Sequence, residues 1–222
     1  MSRTRLVLIA NPIAGGGRAR GIAERAQDAM NDEGVDVELI VPADLGLMRE
    51  SIVEAIETGP AGIIACGGDG TVHLVLQEVA PAAIPMSIIP AGTGNDIARS
   101  LGIALKDKDG VARGIARSLL AGRSRAIDLT CIEHGARQVW SLGVTSMGLD
   151  SAVNERANRT RRFNGTTRYV LALLAEMRTF RTYEYVVTVD GESMDGPATL
   201  IAIGNGSSYG GGMQICPTAS MT

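Results

Sequence analysis

Three glycine-rich turns each follow directly on a short apolar run, and this coincidence constrains the chain more than any other feature. The turns are Asn11-Pro12-Ile13-Ala14-Gly15-Gly16-Gly17 after Leu6–Ala10, Gly67-Gly68-Asp69-Gly70-Thr71 after Gly62–Cys66, and Pro90-Ala91-Gly92-Thr93-Gly94-Asn95-Asp96 after Met86–Ile89. Runs this short, rich in Val, Ile and Leu and bounded by Gly, Pro or Asn, read as buried strands, as does Val35–Val41. Between them Arg18–Met30, Leu47–Thr58 and Val72–Val79 carry apolar residues at helical spacing. Strand and helix therefore alternate, which predicts an α/β fold: a doubly wound parallel sheet covered by helices on both faces. In such a sheet the turns beyond the carboxyl ends of the strands line one crevice, and that is where ligands bind.

Composition agrees and narrows the function. The 222 residues are 45% hydrophobic but only 3% aromatic, with 28 glycines, so the core is aliphatic and the turns are tight. A net charge of -3 argues against a general nucleic-acid binder, whose affinity comes from clustered Lys and Arg. Cys66, Cys131 and Cys216 are odd in number and widely spaced, which suggests neither a disulfide framework nor a zinc site and fits a reducing cytoplasm. Met1–Ala10 reads as the first strand rather than a secretion signal, because Asn11-Pro12 interrupts a short apolar run. No stretch approaches the ~20 apolar residues of a membrane-spanning helix, so membrane contact is expected to be peripheral.

Near Ser124 the pattern changes, which divides the chain into an α/β domain over 1–123 and a β-rich second domain over 124–222. Strand-like Ala126–Ile132 and Gln138–Thr145 flank the turn Glu133-His134-Gly135-Ala136. Helical patterns follow at Leu149–Arg156 and Thr167–Met177, then strands at Tyr183–Val189 and Ala198–Ile203, with a turn at Asp190-Gly191.

Each glycine turn has chemistry of its own. Backbone N–H groups in the first, with the positive end of the helix that follows, make a place for phosphate oxygens, although a Gly-Gly-Gly turn alone is more often simple punctuation. In the second, small residues let a polyphosphate lie against the peptide, Thr71 offers a hydroxyl, and Asp69 can position a metal ion or a substrate hydroxyl. In the third, Asn95 or Asp96 can cap a short helix while Thr93 and the loop amides reach a ligand. The P-loop lysine motif, the dinucleotide fingerprint and the protein-kinase signatures are absent.

Taken in order, NPIAGGGRA, GGDGT and IPAGTGNDIAR resemble the signature of the diacylglycerol kinase catalytic domain, shared with sphingosine kinases and bacterial lipid kinases. Ile127-Asp128-Leu129, Met147-Gly148-Leu149-Asp150 and the run Gly204-Asn205 through Gly210-Gly211-Gly212-Met213 to Pro217-Thr218-Ala219 extend the resemblance over essentially the whole chain. GGDGT alone is shared with NAD kinases, which supply a soluble-substrate alternative; a nucleotide-binding module without activity is another.

The resemblance implies an α/β nucleotide domain followed by a β-sandwich domain, with ATP in the cleft between them and magnesium bridging its phosphates. It implies transfer of the γ-phosphoryl group to a lipid hydroxyl at a membrane surface, with diacylglycerol the first expected acceptor, giving phosphatidic acid. By that match Asp69 is the catalytic candidate, and Asn11, Pro12, Ile13, Ala14, Gly15, Gly67, Gly68, Asp69, Gly70, Thr71, Val72, His73, Thr93, Gly94 and Asn95 border the nucleotide. Two departures stand out: His73-Leu74 occupies the place of Asn-Glu in many relatives, and Ile40-Val41-Pro42 lacks a threonine that tends to end the second strand. Relatives also continue past the Pro-x-Ala segment with carboxylates assigned to magnesium binding and to the general base, so the metal ligands are expected beyond Thr222 and the sandwich incomplete. A basic stretch from Arg156 to Arg181, interleaved with Phe163, Tyr169 and Phe180, suggests docking on an anionic membrane or a solvated helix face. The sequence leaves a homodimer open.

Overall fold

The computed structural model describes residues 5–148 and 182–221. The helical patterns and the basic stretch expected between Leu149 and Arg181 lie outside the described residues. Four parallel strands, β1 (Arg5–Ala10), β2 (Asp36–Ile40), β3 (Gly62–Gly67) and β4 (Met86–Pro90), form one sheet in the order β2-β1-β3-β4. The register aligns Ala10 with Cys66 and Gly67 with Pro90, so the glycine turns after β1, β3 and β4 leave the same edge at the same height.

Side-chain alternation along the central strands builds two cores. Leu6, Leu8 and Ala10 of β1 face α2 (Ala19–Asp32) and α6 (Lys108–Leu120), whereas Val7 and Ile9 face α3 (Met48–Glu57) and α4 (Asp69–Ala82). Burying each Leu or Ile of this kind contributes about 1.5–3 kcal/mol, so both faces must be covered for the sheet to stand. Helix α2 meets the sheet through alanines, Ala19, Ala23, Ala26 and Ala29, whose small side chains let it lie close. At its end Glu33 receives Arg117 from α6 in a bidentate pair at 2.7 and 2.9 Å, tying the two helices together.

Beyond α6 the described chain forms antiparallel pairs. Strand β5 (Thr130–His134) pairs with β6 (Arg137–Ser141), β8 (Tyr183–Val189) with β9 (Glu192–Ala198), and β7 (Val144–Gly148) with β10 (Leu200–Gly204); β11 (Ser208–Tyr209) and β12 (Met213–Gln214) close a small ladder. The run expected as one strand from Gln138 to Thr145 is two. Leu142 turns into the core beneath α4, and the Gly143 carbonyl accepts the Asn205 N–H at 3.1 Å, so the chain changes partner from β5 to β10. Strand β9 was not anticipated, because Asp195-Gly196-Pro197 reads as a breaker; Pro197 is accommodated in a two-stranded pair opposite Glu184. The Asp190-Gly191 turn holds both residues at positive φ, the conformation of a tight two-residue hairpin.

Candidate functional site

Turns one, two and three meet because glycines let their backbones touch. A Cβ added to Gly92 would run into the Gly68 Cα and lie 3.0 Å from the Gly68 nitrogen, so no side chain fits there, and one added to Gly68 would press on the Gly92 Cα at 3.1 Å. The Ala91 N–H donates to the Gly67 carbonyl at 2.8 Å, and Gly15, held at φ +60, approaches the Ala91 carbonyl from the first turn. The short turn α1 (Ala14–Gly17) is not a regular helix, since Gly15 and Gly16 have left-handed backbones.

These contacts leave an open cleft of about 350 Å³. Its floor is Gly15, Gly68, Gly70, Thr71 and Gly92, beside Asn11, Ile13 and Ala14. Asn11 is buried and donates from Nδ2 to Thr71 Oγ1 at 3.0 Å, while its Oδ1 accepts the Ile13 N–H at 3.1 Å. One side chain therefore fixes the first turn against the second and leaves the Thr71 hydroxyl proton to donate elsewhere. Helix α4 starts at Asp69; the Thr71 and Val72 N–H groups donate to the Gly68 carbonyl at 2.9 and 3.0 Å, and the N–H groups of Asp69 and Gly70, ahead of those bonds, lie beside the cleft.

Two apolar residues complete the wall, Leu45 and Leu74; neither is among the residues expected to border the nucleotide, Leu74 having stood out only as a departure from the family pattern. In the turn after β2, Asp44 Oδ1 accepts the N–H groups of Gly46 and Leu47 at 2.7 and 3.1 Å, and the turn so formed presents Leu45 at the cleft. Leu74 lies one helical turn from Thr71 on the same face of α4. The Asp44-x-Gly46 pattern and that spacing were the available signals. Leu74 coincides with one departure from the family pattern, the His73-Leu74 pair, whereas Leu45 lies in the turn that follows the other, Ile40-Val41-Pro42.

The remaining expected residues are placed elsewhere. Val72 is buried in the core with Val75 and Val79, and Gly67 is buried at the end of β3 against Thr71. Pro12 and Thr93 do not line the cleft. His73 lies along the outside of α4 beside Gln77, and partial burial lowers its pKa from the ordinary value. Gln77 in turn accepts the Trp140 N–H at 2.9 Å and donates to the Trp140 carbonyl at 2.8 Å, fastening β6 to α4.

Asp69 stands next to the cleft rather than in its wall. Its Oδ1 accepts the Ile97 N–H at 2.9 Å, capping α5 (Asp96–Ser100), and its Oδ2 lies toward Gly94. Asn95, at φ 54, clamps the third turn: its Oδ1 accepts from the Gly92 N–H and its Nδ2 donates to the Gly92 carbonyl, each at 2.9 Å. Among the described residues no group of three or more His, Cys, Asp or Glu is gathered as a metal site.

The comparisons with known proteins bear on this arrangement. Residues 5–132 match the family model described as diacylglycerol kinase catalytic domain. The chain belongs to the diacylglycerol kinase catalytic-domain family. Residues 143–222 match a second model, the YegS C-terminal NAD kinase beta sandwich-like domain. Over 217 residues the chain is 38% identical to a diacylglycerol kinase of Mycobacterium tuberculosis, covering 97% of this chain and 69% of that one. A probable lipid kinase YegS-like protein of Stenotrophomonas maltophilia is 30% identical over 196 residues, 84% of this chain and 61% of that one. In fold, a putative diacylglycerol kinase from Bacillus anthracis superposes with a TM-score of 0.76 at 23% identity, over 100% of this chain and 71% of that one. A parallel α/β domain followed by a β-sandwich-like region is thus shared with these proteins, and family membership makes this a lipid kinase that uses ATP.

Proposed function

We propose that the chain transfers the γ-phosphoryl group of ATP to the hydroxyl of a lipid alcohol, with diacylglycerol the first acceptor to try. The observation that carries the reading is the Gly68–Gly92 approach, which shapes a cleft floored by backbone and bordered by the amino end of α4. A triphosphate needs such a floor, because phosphate oxygens are held by backbone N–H groups and a helix N-terminus without large side chains in the way. Leu45 and Leu74 supply an apolar wall for the rest of the nucleotide.

The residues present fit a magnesium ion held mainly by phosphate oxygens and water, since Asp69 has Oδ2 left after Oδ1 caps α5. Magnesium would neutralise charge on the donor phosphates. Asp69 then has two tasks, keeping α5 in place and presenting one carboxylate oxygen near the third turn. We divide the labour along the chain, with 1–123 holding the nucleotide and 124–222 contributing to the acceptor side at the surface of a bilayer. Among the described residues no helix is long and apolar enough to cross a membrane.

The test is phosphate transfer from labelled ATP with magnesium to a panel of diacylglycerol, a sphingoid base and phosphatidylglycerol, with NAD as the soluble comparison. A labelled lipid supports the reading and names the acceptor. Labelled NAD, or tight ATP binding with no transfer to any acceptor, overturns it.

A further inference from the structure

One buried carboxylate joins the third glycine turn to the glycine run of the β-rich region. Asp96 is 7% exposed and opens α5. Its Oδ1 accepts from Arg99 Nη1 at 2.7 Å and from Ser208 Oγ at 3.3 Å, and its Oδ2 accepts from the Gly211 N–H at 2.6 Å. Arg99 also donates from Nη2 to the Gly94 carbonyl at 3.2 Å. Gly94 is the meeting point: a Cβ there would lie 3.1 Å from Asp69 Oδ2, 3.3 Å from Asp96 Oδ2 and 3.7 Å from the Gly211 nitrogen.

The second turn, the third turn and residues 208–211 thus share one polar junction, although Asp96 and Gly211 are 115 positions apart in sequence. An acid this buried is retained at a cost unless its oxygens are fully bonded, and here three donors satisfy it. A helix cap would need only a local N–H; two of these three donors come from neither α5 nor its flanking residues.

We propose that Asp96 is a positioning residue, which sets residues 208–212 against the third turn so that occupancy of the nucleotide cleft is felt on the β-rich side. The proposal rests on the nucleotide reading above. It requires no contact between Asp96 and substrate. The carboxylate acts through the Gly211 amide on one side and through Arg99 and the Gly94 carbonyl on the other.

The test is amide exchange over Ser207–Gly212, read by mass spectrometry with and without ATP, in the whole chain and in Asp96→Asn. Asparagine keeps the shape but turns an N–H group toward one of the donors it should accept. ATP should slow exchange of the segment about 5-fold or more in the original protein and leave it unchanged in Asp96→Asn, as expected for loss of a coupling of ordinary size. Ser208→Ala, which removes a single bond and is milder on folding, should give a smaller loss in the same direction. Equal slowing in the original and both variants, or none in the original, overturns the proposal. ATP binding, followed separately by thermal shift, tells the two readings apart. If ATP raises the melting temperature but exchange over Ser207–Gly212 is unmoved, only the junction fails; if it does neither, the nucleotide reading fails as well.

Discussion

Gly92 and Gly68 set the width of the cleft, so the consequence of filling Gly92 is local and severe. Gly92→Ala would place a methyl group 2.9 Å from Asn95 Oδ1 and 3.0 Å from the Gly68 nitrogen. Because both neighbours are backbone or held by backbone, the turns must part, at a cost of about 1–3 kcal/mol, and titration calorimetry should show ATP affinity falling at least ~10-fold. A variant that binds ATP normally would remove Gly92 from the site. Cys66 makes a second prediction at this scale. It is fully buried under the first turn, and burial pushes its thiol up to about 12. Native protein treated with iodoacetamide at pH 8 should be alkylated at the exposed Cys131 and spared at Cys66, with both modified after denaturation. Asp69 shows what sequence left hidden at this scale. Its presence in a glycine turn pointed to chemistry, but nothing local reveals that one oxygen caps a helix 28 positions later.

At the scale of elements, the parallel sheet was legible because each strand is an apolar run that ends in a turn its own residues specify. The antiparallel strands were legible only in part. Gly196-Pro197 hides β9, and the break between β6 and β7 depends on Asn205, which is distant in sequence. Likewise the cleft's glycine floor was readable as spacing, whereas Leu45 and Leu74 join it only through the folding of the β2–α3 turn and the facing of α4. Ion pairs between elements are equally invisible in sequence, and the α2–α6 contact offers a test. Arg117, through its hydrogen bonds, holds the Glu33 carboxyl below its ordinary value. A carboxyl lowered in the folded state stabilises the protein above its unfolded pKa and loses that contribution as the pH falls through the folded value. Melting temperature should therefore drop between pH 5 and about pH 3 more steeply in the original protein than in Glu33→Gln, with the difference shrinking in 1 M salt, because the pair is solvent-facing. Parallel curves for the two proteins would show the pair to be without consequence.

At the scale of the whole molecule, the cleft is formed by the first region, and among the described residues hydrogen bonds at two places tie the β-rich region to α4 and α5, beside the apolar packing of Leu142 against α4. Gln77 joins β6 to α4, and Asp96 joins residues 208–211 to α5. Both α4 and α5 begin in glycine turns, so the second region is fastened to the two helices that follow the second and third turns. That arrangement suits a kinase in which donor and acceptor arrive from different parts of the fold and must meet in line. Asp69 is the residue at which the support seen in the structure, its bond to the Ile97 N–H, must be told apart from the chemistry proposed for it.

The decisive measurement compares Asp69→Asn with Asp69→Ala for melting temperature and for labelled phosphate transfer from ATP to the lipid acceptor found in the panel. Asn retains an oxygen for the Ile97 N–H, so it should melt within about 2 °C of the original protein, whereas Ala loses the cap at about 1 kcal/mol and melts lower. Both should lose at least ~100-fold in kcat, because each lacks the charged oxygen beside Gly94. Transfer by Asp69→Asn at the original rate would mean that Asp69 only supports α5 and that the phosphoryl-transfer site lies elsewhere.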